Sequence, residues 1–180
     1  ILEKKIFSVF SLDKEIGGIS KMIELSTMVL SNNNNNKINL FLIDKSATEK
    51  SLSEALKKKN IIIKRLSIID KNLLKFGILR NNYKKDIFES DIIFLHNYKL
   101  VKYLKRYLNF KPFILFFHTD KEKQIYGLEK IKKVLTVNSL TMKNINKKYK
   151  GNIAKYLPNC IDTRNKKFVF KNSQKKITVG

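Results

Sequence analysis

The chain has 180 residues, of which 43% are hydrophobic and 29% charged; that suits one α/β domain with its own core and excludes a disordered chain. No apolar run nears the roughly 20 residues that span a bilayer, and the lone Cys160 excludes an internal disulfide framework and a multi-cysteine zinc site while fitting a reducing compartment. The net charge of +23 is uneven, +7 over residues 1–90 and +16 over residues 91–180, and favours anionic partners such as phosphorylated substrates, anionic lipid or nucleic acid.

Residues 4–11 are a short apolar run and predict a first strand. Gly17 and Gly18 follow, and apolar residues at helical spacing then predict a helix over 18–30. Asn32 to Asn36 is a homopolymer and predicts a loop. Residues 38–43 predict a second strand, 51–59 a helix with a lysine-rich end, and Ile61 to Ile63 open a third strand. Residues 70–89 predict helix broken near Gly77. Residues 91–95 predict a fourth strand, 98–108 a basic helix, and 112–117 a fifth strand, apolar enough to be central in a parallel sheet. Residues 133–137 predict a sixth strand, 139–148 a helix capped by Ser139, and 153–157 a seventh strand ended by Pro158. Residues 163–176 are polar and lysine-rich, like a linker, and 177–179 are strand-like again. The alternation predicts an α/β, Rossmann-like three-layer sandwich around a mainly parallel sheet of about seven strands.

Ligands of such sheets bind at the carboxyl ends of strands, so residues there are the candidates. Gly17 and Gly18 allow close backbone approach, and the helix that follows offers free N–H groups to an anion. The spacing is neither G-x-G-x-x-G nor a P-loop, and an ordinary tight turn explains it as well. His96 and Asn97 follow strand four; His118, Thr119 and Asp120 follow strand five. Both histidines of the chain therefore fall at this edge, where an imidazole could donate to a sugar hydroxyl or stabilise charge near a reacting carbon. No cluster has metal-ligand spacing, so no metal is expected.

The basic helix interleaves Lys99, Lys102, Lys105 and Arg106 with Leu100, Val101, Leu104 and Leu108. Such a surface suits an anionic membrane, and equally an ordinary helix packing leucines on a sheet. The over-use of Lys, Asn and Ile is also what an AT-rich genome supplies, so the charge has two competing sources.

In order and context these segments resemble the family-4 glycosyltransferases, built from two Rossmann-like domains in the GT-B arrangement. GGISKMIELSTMVL at 17–30 looks like the family's glycine-rich loop and first helix, DIIFLHN at 91–97 like its Asp-initiated strand ending in His, and KPFILFFHTD at 111–120 like its Pro-led strand ending in His and a polar pair. KKVLTVNSLTMKNI at 132–145 and YLPNCID at 156–162 match the later strand–helix unit and the segment before the crossover, and ITVG at 177–180 looks like the first strand of a second domain. Cys160, where the family most often has Gly, and Asn138, ahead of the Ser139 position, are departures.

The resemblance implies retaining transfer of a sugar from a nucleotide-sugar to a glycan or lipid-linked acceptor, in cell-envelope polysaccharide or lipopolysaccharide synthesis. It implies no cofactor beyond the nucleotide-sugar substrate and no required metal. Residues 1–172 would be the N-terminal, acceptor-side domain, and residues 173–180 the start of a nucleotide-binding domain otherwise missing, so that this piece alone would be inactive. By position, His118 would be catalytic, facing the donor sugar. Gly17, Gly18, His96, Asn97, Thr119 and Asp120 would bind substrate. The expected location is cytoplasmic, with the inner face of the membrane as a possible resting surface. A basic nucleic-acid-binding or membrane-binding module without catalysis is the alternative. Against nucleic acid, the aromatics are not interleaved with basic residues as a stacking platform requires.

Overall fold

The structure, a computed structural model, describes residues 4–12, 18–43, 58–119 and 127–158. Seven strands form one sheet: β1 (Ile6–Ser11), β2 (Lys37–Leu42), β3 (Ile61–Arg65), β4 (Ile92–Leu95), β5 (Phe113–Phe117), β6 (Lys133–Thr136) and β7 (Ala154–Tyr156). Their order across the sheet is β3-β2-β1-β4-β5-β6-β7, and every neighbouring pair is parallel. This is the Rossmann-like α/β fold. Every predicted strand among the described residues is present, each within two residues of its expected ends.

The strand sequences explain the arrangement. A parallel sheet is covered on both faces, so its central strands are apolar throughout rather than alternating. In β1 and β2 five of six residues are buried, while β3 and β7 at the edges are mostly exposed. Phe10 and Phe41, side by side on β1 and β2, stack with centroids 4.2 Å apart and are fully buried. Asp91, just before β4, accepts the Ile6 N–H at 2.7 Å, so the acidic start of this strand fixes the start of β1.

Five helices are described: α1 (Gly18–Ser31), α2 (Ile68–Lys75), α3 (Asn81–Glu89), α4 (Lys99–Tyr103) and α5 (Ser139–Lys148). Helix α1 ends without glycine or lysine in its last turn, yet each of its last four carbonyls has a donor. Met28 O accepts from the Ser31 hydroxyl (2.8 Å) and Val29 O from the Asn32 N–H (3.3 Å). Leu30 O accepts from Asn36 Nδ2 (2.8 Å) and Ser31 O from Asn60 Nδ2 (3.0 Å). The asparagine run is thus an ordered loop that closes the helix.

The expected break near Gly77 is a Schellman turn. Gly77 adopts φ +74°, its N–H donates to Leu74 O at 2.8 Å, and the Ile78 N–H donates to Leu73 O at 3.0 Å. At the start of α2, Ser67 and Asp70 form a capping box.

Two expectations change. The basic helix over 98–108 is not continuous: α4 ends at Tyr103 and a 3₁₀ turn, Lys105–Tyr107, follows. Leu104 leaves helical geometry at φ −98°, ψ 12°, and the tighter turn carries Tyr107 and Leu108 into the core beside Leu100, Val101 and Leu104. The cations remain exposed, so the amphipathic pattern survives the break. The cap of α5 is Asn138 rather than Ser139: its Oδ1 accepts from the Leu140 and Thr141 N–H groups at 2.8 and 3.1 Å. The residue that departs from the family pattern is the one that starts the helix. The predicted helix over 51–59, the linker over 163–176 and the strand at 177–179 lie wholly or mainly outside the described residues.

Candidate functional site

The chain runs outward from β1 in two directions: β2 and β3 to one side, β4 to β7 to the other. Connections leaving the carboxyl ends of β1 and β4 therefore diverge, and a crevice opens between them where ligands of doubly wound sheets bind. The β1 exit leads to α1; the β4 exit is His96 and Asn97. The His96 N–H donates to Phe10 O at 2.9 Å, which holds the first residue after β4 against β1 at this point.

His96 is 1% exposed. Its ring stacks on Phe116 of β5 with centroids 4.2 Å apart and planes within 8°. His118, at the end of β5, lies parallel to it with centroids 5.7 Å apart, and His118 Nε2 is 3.4 Å from His96 Nδ1. The far nitrogen, His96 Nε2, is 3.3 Å from the Ser26 hydroxyl of α1. The two histidines thus belong to one polar string that runs from α1 across the sheet edge, with an aromatic ring beneath it.

Burial keeps the rings of this string from taking up a second proton. Desolvation pushes His96 well below the usual imidazole range, and the neighbouring His118 pushes it further the same way. Burial lowers His118 to about 4. Both rings are neutral near pH 7, so they act through hydrogen bonds rather than as cations.

One cavity adjoins the string, and a second adjoins the first. The first, about 90 Å³, is lined by Ile19 of the first turn of α1, by His96, Asn97 and Tyr98, and by Phe116, Phe117, His118 and Thr119. The first turn of α1 carries no acidic side chain, so nothing there opposes an anion at the helix N-terminus. The second cavity, about 740 Å³, shares Tyr98 with the first. Its apolar walls include Val101, Tyr103 and Leu108, and among the described residues it is also lined by Lys99, Lys102, Lys105 and Lys130 and by one carboxylate, Glu129.

Of the residues singled out from sequence, the structure brings His96, Asn97, His118 and Thr119 together around the smaller cavity and places Gly18 at the start of α1. Gly17 and Asp120 lie outside the described residues. Sequence reasoning passed over Ser26 and Phe116. Ser26 falls in the apolar stripe of α1 with Ile19, Ile23 and Leu30, and a hydroxyl in such a stripe is the signal that marks it. Phe116 gives no signal of its own within an all-apolar strand. Among the described residues, no three His, Cys, Asp or Glu side chains are placed to hold a metal ion. No helix among them is long and apolar enough to cross a membrane.

The fold is shared with solved structures of sugar-handling proteins. HepE from Anabaena, crystallised with UDP and glucose, matches at 13% identity with a TM-score of 0.61, over 89% of this chain and 45% of its own. The same protein with UDP-glucose gives 11% identity, a TM-score of 0.60 and coverages of 87% and 44%. The apo form of the lipopolysaccharide outer core galactosyltransferase WaaB matches at 15% identity and a TM-score of 0.56, over 89% of this chain and 47% of its own. The chain spans a little under half the length of these proteins, and at such identities the likeness shows the fold alone. No family model and no curated protein matches the chain.

Proposed function

We propose that the chain is the N-terminal, acceptor-side domain of a retaining glycosyltransferase of the family-4 type. It would transfer a hexose from a nucleotide-sugar to a glycan or lipid-linked acceptor of cell-envelope polysaccharide or lipopolysaccharide. The observation that carries the reading is the coincidence of the paired histidines and the α1 N-terminus at the switch point of the sheet. The solved structures that share the fold include proteins with UDP-glucose bound and a galactosyltransferase, which supports the choice of chemistry.

In this reading His118 faces the transferred sugar, with His96, Asn97 and Thr119 around it. Gly17, Gly18 and the α1 N-terminus approach the donor diphosphate, and Asp120 follows His118 as a further binding residue. A second domain, beginning near residue 173, completes the nucleotide site, and residues 1–172 do not turn over alone. No metal is called for in this reading, in which the α1 N-terminus and basic residues of the second domain meet the leaving diphosphate. The larger cavity holds the acceptor: apolar walls with four lysines on the rim suit an amphipathic anionic glycolipid. The enzyme works in the cytoplasm, with the basic face toward the inner leaflet of the membrane.

The test is to express the polypeptide from its complete coding sequence and to incubate it with labelled UDP-glucose and UDP-galactose and a membrane lipid extract. Label should enter the lipid fraction with the anomeric configuration kept. His118→Ala should lower turnover by about 10²-fold with little change in melting temperature. Failure to consume any nucleotide-sugar in a broader panel would refute the activity. Unchanged kinetics with a lowered melting temperature would make His118 structural.

A further inference from the structure

The hydroxyl of Ser26 has one proton and two neighbours. It lies 3.0 Å from Ile23 O, which can only accept, and 3.3 Å from His96 Nε2. The shorter contact takes the proton, so the Ser26 oxygen is an acceptor toward the imidazole. His96 Nε2 must then carry a hydrogen. The ring is neutral, so His96 Nδ1 carries a lone pair and accepts. Its neighbour 3.4 Å away, His118 Nε2, must therefore be the donor. All three hydrogen bonds run one way, from His118 through His96 and Ser26 to the carbonyl of Ile23.

We propose that Ser26 is a positioning residue which, through His96, fixes the proton of His118 on Nε2 and leaves Nδ1 as a hydrogen-bond acceptor. Without Ser26, the His96–His118 contact could run in either direction, and the two directions give opposite tautomers at both rings. Burial makes the choice hold, since a buried His96 N–H left without an acceptor loses its hydrogen bond to water with nothing in return. The consequence for the ligand rests on the function proposed above: His118 lines the smaller cavity, so the group it recognises there is a donor such as a sugar hydroxyl, rather than a phosphate oxygen.

The experiment reads the tautomers directly on the unliganded 180-residue chain, so it does not depend on whether sugar transfer is found. The chain has two histidines, so long-range ¹H–¹⁵N correlation spectra near neutral pH show two ring patterns, and His118→Asn assigns them. Both rings are expected as the Nε2–H form. Ser26→Thr keeps the hydroxyl and should keep both patterns. Ser26→Ala should convert His118, one ring removed from the substitution, mainly to the Nδ1–H form. An Nδ1–H pattern at either ring of the wild-type chain overturns the proposal, whatever the stability of the variants. So does a folded Ser26→Ala variant whose ring patterns are unchanged.

Discussion

Lowering the pH from about 7 to about 5 should destabilise this chain through its two histidines. In the unfolded chain both take up a proton near the ordinary value of 6.5; in the fold His118 is held to about 4 by burial. A folded value below the unfolded one means that unfolding takes up a proton. Stability therefore falls as the pH drops through 6.5, and the loss is complete near 4. For His118 alone the loss at about pH 5, relative to neutrality, is about 2 kcal/mol. His96 is pushed down first by burial and then by His118, so it adds a loss of the same sign; the rings are in contact, and the two losses belong to the pair. In a chain of this size about 2 kcal/mol is a fall of roughly 4–8 °C in melting temperature. Urea melts of the wild type and His118→Gln at both pH values isolate the effect, because the two proteins differ only at residue 118. The wild type should lose about 2 kcal/mol more than the variant. Equal losses would show that His118 titrates as in water, and the neutral hydrogen-bonded string would fall with it.

Gly77→Ala should destabilise by about 1–2 kcal/mol, since its φ of +74° is a left-handed conformation and a Cβ would meet Tyr103 O at 3.4 Å; a change under a few tenths in a chemical melt would contradict the Schellman geometry. Asn138→Ala should lose about 1 kcal/mol and Asn138→Asp almost nothing, because only the first removes the oxygen that caps α5. The paired substitution Lys102→Glu and Lys105→Glu should lower sedimentation with vesicles rich in anionic lipid by tenfold or more, at about 1 kcal/mol per charge. If the wild-type chain does not sediment with such vesicles, the basic rim is an ordinary solvated surface.

The strands could be read from the sequence because a buried parallel strand is apolar throughout and is bounded by polar residues, as Ile92–Leu95 and Phe113–Phe117 are. Their positions also placed His96 and His118 at the carboxyl edge. The contact between the two rings could not be read, because 22 residues separate them and only the β4–β5 register brings them together. The break in the basic helix was hidden for a different reason. Leu100, Leu104 and Leu108 keep a perfect helical period, and it is the packing of Tyr107 that tightens the turn. Asn138 was passed over because Asn138 and Ser139 are adjacent and both of types that cap helices, and only the amides of Leu140 and Thr141 show which side chain they reach.

The loop after α1 changes how the composition of this chain should be understood. Repeated asparagine codons are the sort of tract that lengthens and shortens when a polymerase slips, and such tracts are usually read as neutral debris. Here Asn36 reaches back six positions to Leu30 O, and that reach depends on the length of the tract. The count is constrained even where the letters were supplied by bias. A residue added to or lost from the tract would displace Asn36 from Leu30 O and shift the entry into β2, so the end of α1 depends on the length of this loop.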